Sequence, residues 1–231
     1  MSRPWDHLLS EGEKRVYTGA GFGNQTAIGR RPALLIIDVQ YRTAGTRSMP
    51  IDEAMREFPT SCGEVAWQAV PRIAMLLELF RRKGWPVIYP HVAPKNAEER
   101  GRLAEKTPSM WTIPPEGYDF VAEVAPVPGD ILVPKRHPSS FFGTALVSNL
   151  IEHEADTLVV TGCSTSGCVR SSVVDAFSYN YRVFVAEDGV YDRSPSSHAM
   201  SLFDMNQKYA EVLPAAKLAE RLEALKTEET V

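Results

Sequence analysis

The sequence is poor in features that would place it outside the cell or in a membrane. Only 3 of its 231 residues are cysteine, an odd number that does not read as a disulfide framework and fits a reducing cytoplasm. No apolar run approaches the ~18 residues of a membrane span. The opening "MSRPWDHLLSEGEKRVY" contains no apolar stretch of signal-peptide type. An excess of one charge is missing too. The net charge is −4, with basic and acidic residues interspersed. A phosphate-tracking surface is therefore not expected, and the expectation is of no nucleic-acid partner and no membrane partner. There is no internal repeat and no low-complexity segment.

What the chain does have is a set of widely spaced, near-continuous apolar runs: "ALLIID" (33–38), "PVIYPH" (86–91), "DILVP" (130–134), "TLVVTG" (157–162), "RVFVAE" (182–187) and "AEVLP" (210–214). Runs of this kind suit strands buried on both faces. Helical patterns lie between several of them. One covers 65–84 and ends in Arg-Arg-Lys-Gly, a helix stop. A second covers 144–155 behind a Thr cap, and a third covers 168–180. Strand, helix, strand repeated in this way predicts an α/β fold in three αβα layers around a mostly parallel, six-stranded sheet. Residues 1–30 read as an arm, packed on the body or on a neighbouring subunit, and 31–231 as a single domain. The Gly-rich "GAGFGNQTAIG" (19–29) precedes the first strand, so it is not a dinucleotide fingerprint. Segments 39–63 and 92–128 read as irregular, pocket-shaping loops.

Open α/β sheets bind ligands beyond the carboxyl ends of their strands. Asp38 ends the first strand, Lys135 the third, and Cys168 follows the fourth at the start of a helix. Each has a plain structural reading: a turn-capping Asp, a solvated Lys, a packed Cys. Together the acid, base and thiol point to nucleophilic catalysis. A thiol at a helix N-terminus is expected to have a lowered pKa, whereas Cys163 reads as a packed residue at a strand end. The CxxxxC spacing fits neither a CxxC redox pair nor the commoner zinc knuckles, although a redox pair remains a rival reading.

"RPALLIIDVQ", "VPKRHPSSFFGTAL" and "TGCSTSGCVRSSVVDAFSYNYRV" resemble three blocks of the isochorismatase-like cysteine hydrolase superfamily. They are most similar to its branch of N-carbamoylsarcosine and maleamate amidases. The resemblance covers about 30–215 and implies an isochorismatase-like (Rossmann-like) fold with an Asp38–Lys135–Cys168 triad. It also implies an oxyanion site formed by the N–H groups of Ser164 and Cys168, with a cis peptide between Cys163 and Ser164. Isochorismatases proper lack the nucleophilic cysteine. Nicotinamidases carry an Asp-x-His metal site after the first strand, but 39–63 contain no His; no metal and no cofactor are expected.

The resemblance places Arg193 where the carbamoylsarcosine-type enzymes hold a substrate carboxylate; otherwise Arg193 is a surface residue paired with Asp192 or Asp188. The expected partner is a small-molecule amide substrate, and relatives imply a homo-oligomer, tetramer or dimer. Trp111, Phe141 and Phe142 are candidate pocket walls, Gln40 lines the pocket or caps its loop, and His137 has no assigned role. The alternatives are a hydrolase of a neutral amide and a catalytically idle binding protein.

Overall fold

The computed structural model describes residues 3–96 and 98–225, so the last six residues of the expected domain lie outside it. Six strands, β1 (Pro32–Ile37), β2 (Val87–Val92), β3 (Ile131–Lys135), β4 (Thr157–Cys163), β5 (Arg182–Tyr191) and β6 (Glu211–Leu213), form one sheet in the order β3-β2-β1-β4-β5-β6. Every pairing is parallel. The chain builds outward from β1 to β3, then returns to the other side of β1 with β4. That reversal makes the β1/β4 boundary the switch point at which such sheets open a ligand crevice.

The helices are α1 (Glu11–Gly19), α2 (Tyr41–Ala44), α3 (Ile51–Glu57), α4 (Glu64–Lys83), α5 (Leu103–Lys106), α6 (Leu146–Glu152), α7 (Arg170–Ser178), α8 (Pro195–Lys208) and α9 (Ala215–Glu223). Alternation along β1 divides them into two layers. Leu34 and Ile36 face a core shared with α4 and α9, while Ala33, Leu35 and Ile37 face one shared with α6, α7 and α8. Successive strand residues point to opposite faces, so a strand covered on both sides must be apolar throughout. Helix α4 ends at Gly84 in the left-handed region, φ 68°, as its basic last turn and glycine predict.

The N-terminal segment packs on the body. Trp5 is buried against Phe203, Tyr17 stacks edge-on to the same ring at 4.8 Å, and an Arg3 guanidinium N–H donates to the Val212 carbonyl. Two local expectations are corrected. The helix read from 144 starts at Leu146; Thr144 Oγ1 still accepts the Leu146 N–H, one residue earlier than a standard cap. The loops at 39–63 and 92–128 contain short helices, which are too brief to show a hydrophobic period.

Candidate active site

Asp38 leaves β1 in the left-handed region, φ 52°, a conformation that Asp tolerates better than most residues. Three hydrogen bonds hold it there: its N–H donates to the Pro90 carbonyl, and its own carbonyl accepts from the Gln40 N–H and from Thr43 Oγ1 at 2.6 Å. A strained backbone enforced from several sides is a mark of functional sites. The carboxyl is buried and its Oδ2 lies 2.7 Å from Lys135 Nζ; Oδ1 makes no hydrogen bond among the described residues.

Lys135 closes β3, with its ammonium also 3.3 Å from Cys168 Sγ and 3.3 Å from the His137 carbonyl. Burial works against its charge, but Asp38 and Cys168 outweigh that and raise its pKa. Lys135 thus bridges the other two residues chosen from separate strand ends, Asp38 and Cys168. Cys168 itself differs from expectation in two respects. The helical stretch begins at Thr165 with one wider π-type turn (Thr165–Val169), so Cys168 lies within the turn and does not open it. Such turns recur at functional sites. Burial, then the charge of Asp38, pushes the thiol up to about 11, against the smaller opposing effect of Lys135. The expected lowering by the helix end does not prevail, because burial and a neighbouring anion are stronger than partial charges at a helix end.

The turn is pinned from three sides. Ser172 Oγ donates to the Cys168 carbonyl and accepts from the Ser140 N–H, tying the Cys168 turn to the segment after Lys135. Asp192 Oδ2 accepts from both the N–H and the Oγ of Ser166, each at 2.7 Å, and Thr165 Oγ1 meets His198 Nδ1 at 2.8 Å. The Ser164 carbonyl accepts the Gly167 and Val169 N–H groups but not the Cys168 N–H between them. The Cys163–Ser164 peptide is cis, as the resemblance implied.

Cys168, Asp38 and Lys135 line a cavity of about 490 Å³, together with Ser164, Trp111, His137 and Arg193. This is a size suited to a small molecule. Arg193 is exposed at its rim; its backbone N–H donates to Asp192 and its guanidinium to the Thr60 carbonyl. Phe141 and Phe142 are not walls: Phe141 is buried and stacks on Tyr179, and Phe142 is exposed beside the His137 ring. Gln40 reaches neither substrate space nor solvent. Its Nε2 donates to the Val92 and Tyr118 carbonyls and its Oε1 accepts from the Val92 N–H, clamping both ends of the segment between them.

Sequence reasoning missed several groups. Arg42, Lys95, Thr60 and Tyr118 also line the cavity; a basic residue four positions after Asp38 was the available signal for Arg42. Cys163 meets the third cysteine, Cys62, at 3.9 Å between sulfurs, instead of packing only against hydrocarbon. Among the described residues no group of three or more His, Cys, Asp or Glu stands close enough to hold a metal ion, and no helix is long and apolar enough to cross a membrane.

The raised thiol gives a direct test. Alkylation of Cys168 by iodoacetamide, followed by site-resolved mass spectrometry, should have its pH midpoint near 11. In Asp38→Asn the midpoint should move down, since a charge that raises it is gone. An upward move or none would contradict the coupling.

An isochorismatase domain profile matches residues 32–217. The maleamate amidohydrolase of Pseudomonas putida is 35% identical over 211 residues, covering 88% of this chain and 92% of that protein. The N-carbamoylsarcosine amidase of an Arthrobacter species is 29% identical over 218 residues, covering 91% and 78%. The crystal structure of N-carbamoylsarcosine amidase from Thermoplasma acidophilum superposes with a TM-score of 0.64 at 25% identity, covering 80% of this chain and 96% of that one. On the profile and on these near end-to-end matches, the chain belongs to the isochorismatase family.

Proposed function

We propose that the protein is a cysteine-dependent amidohydrolase that cleaves the C–N bond of a small linear amide or N-carbamoyl compound bearing a carboxylate, and releases ammonia. The observation that carries this reading is the contact triad at the cavity floor, Lys135 Nζ being 2.7 Å from Asp38 and 3.3 Å from Cys168. The names of the matched relatives, maleamate amidohydrolase and N-carbamoylsarcosine amidase, agree with it.

Asp38 takes the thiol proton as Cys168 Sγ attacks the amide carbon, so the thiolate forms only as the C–S bond is made. A thiol resting near 11 suits this, since little free thiolate exists beforehand. Lys135 stays cationic and balances the one negative charge as it passes from the carboxylate, through the developing thiolate, to the carbonyl oxygen of the tetrahedral adduct. The N–H groups of Ser164 and Cys168 receive the oxyanion. Asp38 returns the proton to the leaving nitrogen, and ammonia departs from a thioester. Water, deprotonated by Asp38, then attacks the thioester carbon; the acid leaves and the thiol regains its proton.

The substrate's negative charge is read from the lining. Five of its residues are Lys or Arg against one acid, Asp38, although the chain as a whole carries −4. Lys135 is paired with Asp38 and Arg136 with Glu99. Arg42, Lys95 and Arg193 form no ion pair among the described residues, and such a cluster attracts an anion. Arg193 is assigned to the carboxylate, which a guanidinium binds in bidentate fashion.

The test is ammonia release from maleamate, N-carbamoyl amino acids and neutral amides such as nicotinamide. Turnover of the acidic compounds is expected, with Arg193→Ala weakening them by roughly tenfold or more and sparing neutral amides. Equal loss on both classes would remove Arg193 from carboxylate binding. No turnover of any amide would favour the binding-protein reading.

A further inference from the structure

Arg42 is out of balance with its surroundings. It sits in α2, four residues beyond Asp38, and is only 2% exposed. Buried guanidinium groups are normally paired, because a charge taken out of water must recover its lost hydration from partners. The other buried cation of the cavity, Lys135, obeys this rule with an ion pair and two further contacts. The Arg42 guanidinium makes no hydrogen bond and no ion pair among the described residues; its one specific contact is the face of the Tyr118 ring, 4.9 Å away. Yet it lines the cavity in which Cys168 stands.

Its position relative to Arg193 matters as much. Thr60 touches both residues: its Oγ1 donates to the Arg42 carbonyl, and its own carbonyl accepts from the Arg193 guanidinium. Each guanidinium also lies within electrostatic reach of the same two sulfurs, Cys163 and Cys168. Arg193, at the rim, has already committed an N–H to Thr60. Arg42, at depth, has all its side-chain donors available.

We propose that Arg42 is the deep anchor for the substrate carboxylate, with Arg193 closing on the same carboxylate from the rim. This rests on the amidase reading above and sharpens it. The substrate class becomes short amides whose carboxylate enters first and stays near the reacting carbon, because the anchor belongs to the same cavity wall that follows Asp38. A planar carboxylate satisfies the fork of Arg42 and supplies the ion-pair partner that none of the described residues provides. Neutral amides of the same shape leave that charge buried and unmatched, so the pocket selects against them.

The experiment compares Arg42→Gln, Arg193→Ala and the double variant on an N-carbamoyl amino acid and on its carboxamide counterpart. Arg42→Gln should raise KM for the acidic substrate by roughly 10- to 100-fold, with kcat within about tenfold, and should leave KM for the neutral substrate unchanged or lower it. In the double variant the loss should be less than the product of the single losses, because one carboxylate is shared. Maleate binding to Cys168→Ser protein, measured by calorimetry, should weaken by a similar factor when Arg42→Gln is added. Thermal unfolding provides the control. Removing an unmatched buried charge should leave the ligand-free protein as stable as its parent or more so.

Equal losses on acidic and neutral substrates, or a markedly destabilised Arg42→Gln protein, would make Arg42 structural and overturn the proposal. Fully multiplicative losses in the double variant would overturn the shared-carboxylate clamp. If the parent protein turns over no amide, the amidase reading itself fails; an active parent with an indifferent Arg42→Gln variant means that only the anchor is wrong.

Discussion

Replacing Cys168 by serine should lower kcat/KM on a turned-over amide by about 10⁴-fold or more, whereas Cys163→Ser should keep it within roughly an order of magnitude. The two thiols are five residues apart and differ in what faces them. Cys168 Sγ has the Lys135 ammonium at 3.3 Å and feels the charge of Asp38. Cys163 is 2% exposed and faces the sulfur of Cys62. A serine hydroxyl at 168 keeps the geometry but holds its proton far more tightly than a thiol, so proton removal by Asp38 no longer yields a competent nucleophile. Ammonia release by both variants, with substrate binding checked by calorimetry, separates loss of chemistry from loss of fold. Abolished turnover in Cys163→Ser with Cys168→Ser intact would reverse the assignment.

Lys135→Met should cost activity and stability together. The side chains of Lys135 and Asp38 are 1% and 3% exposed, so the aspartate has almost no access to water once its partner is gone. It must remain buried without a counter-charge or take up a proton, and either course erodes the native state. Breaking one side of a buried pair destabilises by about 3–5 kcal/mol, a large part of the roughly 5–15 kcal/mol that holds a domain folded. The urea midpoint should fall accordingly, and the Asp38→Asn/Lys135→Met double variant should recover part of the loss while remaining inactive. A Lys135→Met protein with an unchanged midpoint would mean that the pair is not the buried contact described here.

The strands and the grouping of Asp38, Lys135 and Cys168 were legible because they rest on the simplest signals. Apolar runs locate strand ends, and in a parallel sheet the ends of β1 and β3 and the turn after β4 share one edge. Asp38, Lys135 and Cys168 follow from that arithmetic. Arg42 did not, since "RTAGTR" has no period, and only folding reveals that its guanidinium is enclosed and without an ion pair among the described residues. Cys62 and Cys163 lie 101 positions apart, beyond anything local spacing encodes. Phe141 and Phe142 show the reverse failure: residue type suggested walls, but the backbone turns one ring into the core and the other to solvent. The π-type turn was hidden because one extra residue in a single turn scarcely alters the hydrophobic pattern.

Gln40 fastens the Val92 and Tyr118 ends of a long segment with one side chain, two residues from the Asp38 carboxylate. The stretch between these anchors supplies Lys95, Met110 and Trp111 to the cavity wall. It therefore has the form of a cassette: its interior can be rewritten, and with it the shape of the cavity wall, between two ends held by one side chain next to Asp38.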